Sequence, residues 1–126
     1  MIHLDTNLLI YLADREPAVL AWFDQQANLH QEFQVSSVTW YEFLAGPVKK
    51  SKIAWIESIL NTTPIPFDTS LAEKSATLFN KTGRARKRKT DTMIATTAIL
   101  NGGTLATRNI ADFKLFEPHG LTLIEV

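Results

Sequence analysis

Three carboxylates in this sequence stand where a carboxylate can do chemistry. Asp5 directly follows the apolar run Ile2 to Leu4. Glu42 lies within Val38-Thr39-Trp40-Tyr41-Glu42-Phe43-Leu44, a stretch too apolar for a freely solvated helix, and a buried carboxylate without partners is strongly disfavoured. Asp91 opens the helical segment Asp91-Thr92-Met93-Ile94-Ala95, where the helix dipole favours negative charge. Each acid has a structural explanation of its own: Asp5 as a helix cap through Asn7, Glu42 as a hydrogen-bonded acid at a solvent edge, Asp91 as a partner of the dipole. As a set they point elsewhere. Clustered carboxylates repel one another, and some must take up protons unless a hard divalent cation that prefers oxygen ligands removes the repulsion. Magnesium, with manganese as a substitute, keeps several waters and bridges carboxylates to a substrate phosphate, which suits phosphodiester hydrolysis. In-line attack of a metal-activated water on phosphorus requires no histidine base.

Bringing these acids together requires a strand end, a helix interior and a helix start to meet. Ile2 to Leu4 reads as a strand, broken by Asp5-Thr6-Asn7 before the helical onset of Leu8, Leu9, Ile10 and Leu12. Glu16 and Pro17 open a second helix that runs to Asn28, with Val19, Leu20, Trp22, Phe23 and Ala27 spaced for one buried face. Gln34 and Val35 suggest a strand. Ser36 and Ser37 are caps for a helix from Val38 to Ala45, ended by Gly46-Pro47. Lys49 to Leu60 is a further amphipathic helix, Thr63 to Phe67 a strand in spite of its prolines, and Asp68 the cap of a helix reaching Asn80. Gly83 to Lys89 is expected as a basic loop, Thr90 as the cap of a helix from Asp91 to Leu100, and Asn101-Gly102-Gly103 as its end. Thr104 to Ala106 and Leu121 to Ile124 complete the strands.

Strands separated by helices predict an α/β fold, a three-layer α/β/α sandwich around a central, mainly parallel sheet with right-handed crossovers. Ligands of such sheets bind in the crevice beyond the carboxyl ends of the strands. Asp5 follows the first strand, and Thr107-Arg108-Asn109-Ile110-Ala111-Asp112-Phe113 follows a late one, so both are expected at that edge. With 45% hydrophobic and 21% charged residues, no repeats and no linkers, residues 1–126 are expected to form one domain. The lack of cysteine excludes thiolate-bound metals and thiol nucleophiles. With no basic leader and no apolar run long enough to cross a bilayer, the chain is expected to be soluble and cytoplasmic.

Net charge is zero, yet no acid occurs from Lys74 to Thr90. Arg84, Arg86, Lys87, Arg88 and Lys89 lead directly into Asp91, so a phosphate backbone bridging these bases and the acids is expected, the alternative being a solvated charged loop. Contacts of that kind supply affinity with little sequence information. His3, His30 and His119 are not spaced as a metal set, and His3 reads as a packed, hydrogen-bonded histidine. Trp22, Trp40 and Trp55, with Tyr11 and Tyr41, read as core or helix-packing residues, some of them able to form an apolar groove for a partner helix.

Asp5-Thr6-Asn7 after the first strand, Ser36-Ser37-Val38-Thr39-Trp40-Tyr41-Glu42, Asp91-Thr92-Met93-Ile94-Ala95-Thr96-Thr97-Ala98, and Thr107-Arg108-Asn109 with Asp112-Phe113 look like the four successive motifs of VapC-type PIN domains. The resemblance spans essentially the whole chain, in order. It implies a PIN-like fold and a magnesium-dependent endoribonuclease, the toxin of a toxin–antitoxin pair, with Asp5, Glu42 and Asp91 matching the principal metal-coordinating acids. At the fourth position many PIN domains carry an acid where this sequence has Asn109; Asp112 follows three residues later, and the two are joint candidates. Thr6 and Thr107 either order ligands and waters or serve as turn and cap residues. The resemblance also implies an RNA substrate, a cognate antitoxin laid over the active site, and a homodimer; the RNA is what the basic residues Arg84, Arg86, Lys87, Arg88 and Lys89 are expected to contact. Two other functions compete. A haloacid-dehalogenase-like phosphohydrolase with Asp5 as nucleophile needs an acid two positions on, where Asn7 stands. A PIN-like scaffold that only binds RNA or protein is weakened by the presence of Asp5, Glu42 and Asp91 together.

Overall fold

Short apolar runs alternate with capped helices along the chain, and a computed structural model describing residues 1–126 resolves them into four strands and seven α-helices. In chain order these are β1 (Ile2–Leu4), α1 (Thr6–Ala13), α2 (Pro17–Asn28), β2 (Phe33–Gln34), α3 (Ser37–Ala45), α4 (Lys50–Leu60), α5 (Thr69–Lys81), α6 (Lys89–Leu100), β3 (Thr104–Thr107), α7 (Ile110–Phe113) and β4 (Thr122–Glu125). The strands form one sheet in the order β2-β1-β3-β4, parallel throughout. Parallel neighbours need long crossovers, and the helices supply them.

Leu105 and Ala106 are adjacent on β3, so their side chains leave opposite faces of the sheet. Ala106 joins a core made with Ile2, Leu4, Leu8, Leu12, Val19, Phe43 and Ile56, which draws in α1 to α4. Leu105 joins a second core with Leu78, Ile94, Ala98 and Phe116, which draws in α5, α6 and the turn after α7. Helices therefore cover both faces, giving the three-layer α/β/α arrangement. Phe43 and Phe116 are fully buried, and each such side chain contributes about 1.5–3 kcal/mol.

Thr63 to Phe67 does not become a strand. Pro64 and Pro66 withhold two amide donors, and what remains is a lone parallel bridge between Ser36 and Ile65. Gly83 to Lys89 is only partly a loop: Arg86–Arg88 form a 3₁₀ turn that runs straight into α6 at Lys89. Thr90 thus lies inside the helix and caps nothing, the N-cap position being Arg88, whose carbonyl accepts from the Thr92 hydroxyl at 2.7 Å. α1 begins at Thr6 rather than Leu8, and β2 and β4 sit one residue from their expected places. The helix α7 and the 3₁₀ turn Lys114–His119 had no signal in the periodicity.

Candidate active site

β1 is three residues long because Asp5 turns the chain into α1. Asp5 keeps an extended backbone, and its Oδ1 accepts the Leu8 N–H at 2.8 Å, an N-cap that satisfies one donor of the first turn. Its Oδ2 accepts a hydrogen bond from the Thr107 hydroxyl at the end of β3. Only 3% of the residue is exposed. Asp5 is thus both the cap and a wall of the site, and the two readings of this residue are compatible.

Glu42 is positioned by the start of α3. Ser36 Oγ caps the helix by accepting the Thr39 N–H at 2.9 Å, while Ser37 Oγ accepts the Phe67 N–H at 2.9 Å and ties the proline-containing segment to the helix. Thr39 and Phe43 bury one side of α3, leaving half-buried Glu42 at the carboxyl edge of the sheet. The Thr6 hydroxyl donates to Glu42 Oε1 at 2.5 Å. Thr6 and Thr107, for which the sequence left open an ordering role or a turn and cap role, each donate a hydrogen bond to one carboxylate.

Asp91 occupies the first turn of α6. On the turn after β3, the Asn109 N–H donates to Thr107 Oγ1 at 2.9 Å, and the Asp112 N–H to the Asn109 carbonyl at 3.0 Å, which swings α7 over the sheet edge. Asp5, Glu42, Asp91, Asp112 and Asn109 all line one cavity of about 130 Å³. The sequence did not single out Asn7, Ile94 and Phe113 as cavity residues, although they line it too. Ile94 lies one turn after Asp91, so helical spacing was the available signal. Asn7 brings only a neutral amide, which leaves a nucleophilic Asp5 without the acid/base partner of a phosphohydrolase.

The electrostatics of the cavity follow from burial and crowding. Burial raises the Asp5 carboxyl above its ordinary range; the Thr107 hydroxyl and Leu8 N–H oppose this, and the charges of Asp112 and Glu42 add to it. Asp91 is pushed up to about 6, first by burial and then by Asp112, Glu42 and Asp5. No cationic side chain lines the cavity, and the two ion pairs of the protein, Lys52–Asp14 and Arg108–Glu16, do not involve these acids. The four carboxylates share one space, but no three of them form a ready-made metal cage. Asp5 and Glu42 are instead held back on the walls by their own hydrogen bonds. A larger cleft of about 480 Å³, between α3 and the end of α4, has Glu57 as its one acid and gathers no cluster of charge.

The basic segment is less intimate with the acids than its sequence position suggests. Arg84, Arg86, Lys87 and Lys89 are exposed and Arg88 is half-buried, but none of them lines the cavity. Lys89 turns towards α5, its Nζ 5.9 Å from the centre of the Phe79 ring. His3 is buried and packed, its Nε2 2.6 Å from the Asn101 carbonyl, and burial lowers its pKa. Trp22, Trp40 and Trp55 pack against the core.

Comparison with known proteins agrees along nearly the full length. The family model of the PIN domain matches residues 2–115. The VapC ribonuclease Y4jK of Sinorhizobium fredii is 32% identical over an alignment of 139 residues, covering 98% of this chain and 96% of that protein. Among solved structures, VapBC2 from Rickettsia felis bound to a DNA fragment from its promoter is similar with a TM-score of 0.77 and 25% identity, over 100% of this chain and 99% of that one. A toxin–antitoxin complex from Klebsiella pneumoniae is similar with a TM-score of 0.67 and 28% identity, over 90% of both chains.

Proposed function

The chain belongs to the PIN-domain family, and on that footing we propose that it is a metal-dependent endoribonuclease that hydrolyses RNA phosphodiester bonds as the toxin of a toxin–antitoxin pair. The observation that carries this reading is the meeting of Asp5, Glu42, Asp91 and Asp112 around one cavity, drawn from four separate stretches of chain. Residues 1–126 act as one nuclease domain.

The donor set suits a hard divalent cation. Its polar side chains are carboxylates, a hydroxyl and amides, without sulfur or imidazole. Burial, and then the charges of Asp112, Glu42 and Asp5, disfavour the ionised form of Asp91, and a cation would offset both. A cavity of about 130 Å³ leaves space for water beside an ion, as a partly hydrated ion needs. Asp5, Glu42 and Asp91 would hold the ion, with Asp112 as a fourth acid and Asn109 able to orient a water. When bound, magnesium, or manganese in its place, supplies a lowered water pKa and offsets charge developing on the phosphate. Thr107 and Thr6 fix the carboxylates of Asp5 and Glu42, while Ile94 and Phe113 give the cavity an apolar side.

Arg84, Arg86, Lys87, Arg88 and Lys89 bind the RNA phosphates on this reading; the exposure of all but half-buried Arg88, and their freedom from ion pairs with acids, support it. The protein partners are a cognate antitoxin and a second copy of the chain. Support for the antitoxin comes from the toxin–antitoxin complexes among the similar structures and from an apolar face on α1 and α3. Ile10 on α1 and Tyr41 and Leu44 on α3 are exposed, and Ile10 lines a hollow of about 150 Å³ together with Phe43 and Val48. No helix is long and apolar enough to cross a membrane; the proposed place of action is the cytoplasm.

The test is to incubate the purified chain with transfer RNA and mixed RNA in magnesium and to identify the new ends. Attack by water leaves no 2′,3′-cyclic phosphate, so linear ends are expected. Cyclic ends, or intact RNA, would overturn the reading.

A further inference from the structure

Arg108 sits between two residues of the site, Thr107 and Asn109, yet its own side chain turns away from the cavity. The guanidinium is engaged three ways. One terminal nitrogen lies 2.8 Å from Glu16 Oε2, Nε donates to the Val126 carbonyl at 3.2 Å, and the guanidinium carbon stands 4.9 Å from the centre of the Tyr11 ring. These partners belong to three different places. Tyr11 is on α1, Glu16 caps α2 through the Ala18 and Val19 amides, and Val126 follows β4, where its N–H donates to the Thr107 carbonyl at 3.1 Å.

We propose that Arg108 is a positioning residue for the cleavage site: by clamping the exit of β3 to α1, the α1–α2 junction and the end of β4, it holds Thr107 on Asp5 and Asn109 on the cavity wall. The inference rests on the ribonuclease reading for its kinetic consequence, but the clamp is a property of the fold. The planar guanidinium spends its nitrogens in fixed directions while stacking on a ring, which a flexible ammonium does not reproduce. The Thr107 hydroxyl has two geometric duties, donating to Asp5 and accepting from the Asn109 N–H, and a shift of the peptide next to it disturbs both. Misplacement of catalytic groups by about 1 Å costs up to roughly a hundredfold in rate without any loss of binding energy.

The experiment compares the full-length protein with Arg108→Gln, Arg108→Lys and Glu16→Gln, reading RNA cleavage and the hydrogen exchange of individual amides. In Arg108→Gln, kcat is expected to fall about tenfold or more with KM within twofold, and the Asn109 amide to exchange faster while amides of α4 stay as in the parent. Arg108→Lys, which keeps only the charge, should recover part of kcat, and Glu16→Gln should lose less in the Arg108→Gln background than alone. Unchanged kcat together with unchanged Asn109 exchange overturns the proposal. So does uniform acceleration of all amides, which would mark general stabilisation only. If the parent cleaves no RNA the ribonuclease reading fails, and the exchange of Asn109 still decides the clamp.

Discussion

The Thr107 hydroxyl donates to Asp5 Oδ2, joining the ends of β1 and β3 across 102 positions of sequence. The same oxygen accepts the Asn109 N–H, so one side chain orders an acid, a candidate ligand and the turn into α7. Thr107→Val keeps the shape and removes both bonds. A buried carboxylate oxygen then loses its donor, a cost of about 1–3 kcal/mol. Thermal denaturation should show the loss, and cleavage should fall about a hundredfold. Thr107→Ser, which restores the hydroxyl, should recover most of both.

Asp91 makes stability depend on pH in a definite direction. Its folded pKa of about 6 lies above the ordinary value of 3.8, so the folded state holds the proton more tightly and ionisation costs folding free energy. In metal-free buffer the penalty sets in as pH rises from about 4 and is complete above about 6. Asp91→Asn cannot ionise and should be the more stable protein above pH 6, with the difference vanishing below pH 4. The nominal value of such a shift is reduced because Asp91 is only half-buried, so the expected gain is about 1 kcal/mol, read from denaturation midpoints at several pH values.

Asp112 and Asn109 both line the cavity, but only Asp112 carries charge, and it is the foremost neighbouring charge on both Asp5 and Asp91. Asp112→Asn should therefore weaken divalent-ion affinity more than Asn109→Ala. Calorimetric titration of both variants measures this, and the reverse order would make Asn109 the fourth site residue.

Replacing Arg84, Arg86, Lys87, Arg88 and Lys89 by glutamine should weaken RNA binding to about the same degree for every sequence. Each lost phosphate contact on a single strand should reduce the slope of log affinity against log salt by about 0.7. Because none of these residues lines the acidic cavity, metal affinity should change little. An unaltered slope would make the segment a solvated surface and send the RNA elsewhere.

Local chemistry made much of the architecture legible. Pro17 after Glu16, Ser36 before an apolar run and Asp68 before α5 are capping signals, and each helix begins there. Asp5 after three apolar residues placed an acid at a strand end, and the fold puts it there. What escaped depended on local backbone limits in two cases and on distant partners in a third. Thr63 to Phe67 has strand-like residues, but its prolines limit it to one bridge. Thr90 looked like a cap, yet the 3₁₀ turn before it leaves no extended residue where a cap must sit. Arg108 gave no signal at all, because Glu16, Tyr11 and Val126 meet it only after folding.

The central claim is that Asp5, Glu42 and Asp91 hold a divalent ion that RNA cleavage requires. The most direct measurement is the rate of cleavage of one RNA by the parent and by Asp5→Asn, Glu42→Gln and Asp91→Asn, in magnesium, in excess chelator, and after magnesium is restored. The account predicts cleavage by the parent that stops in chelator and returns with magnesium, and none by the three folded variants under any condition. Undiminished cleavage in chelator, or parent-like cleavage by all three variants, would contradict it.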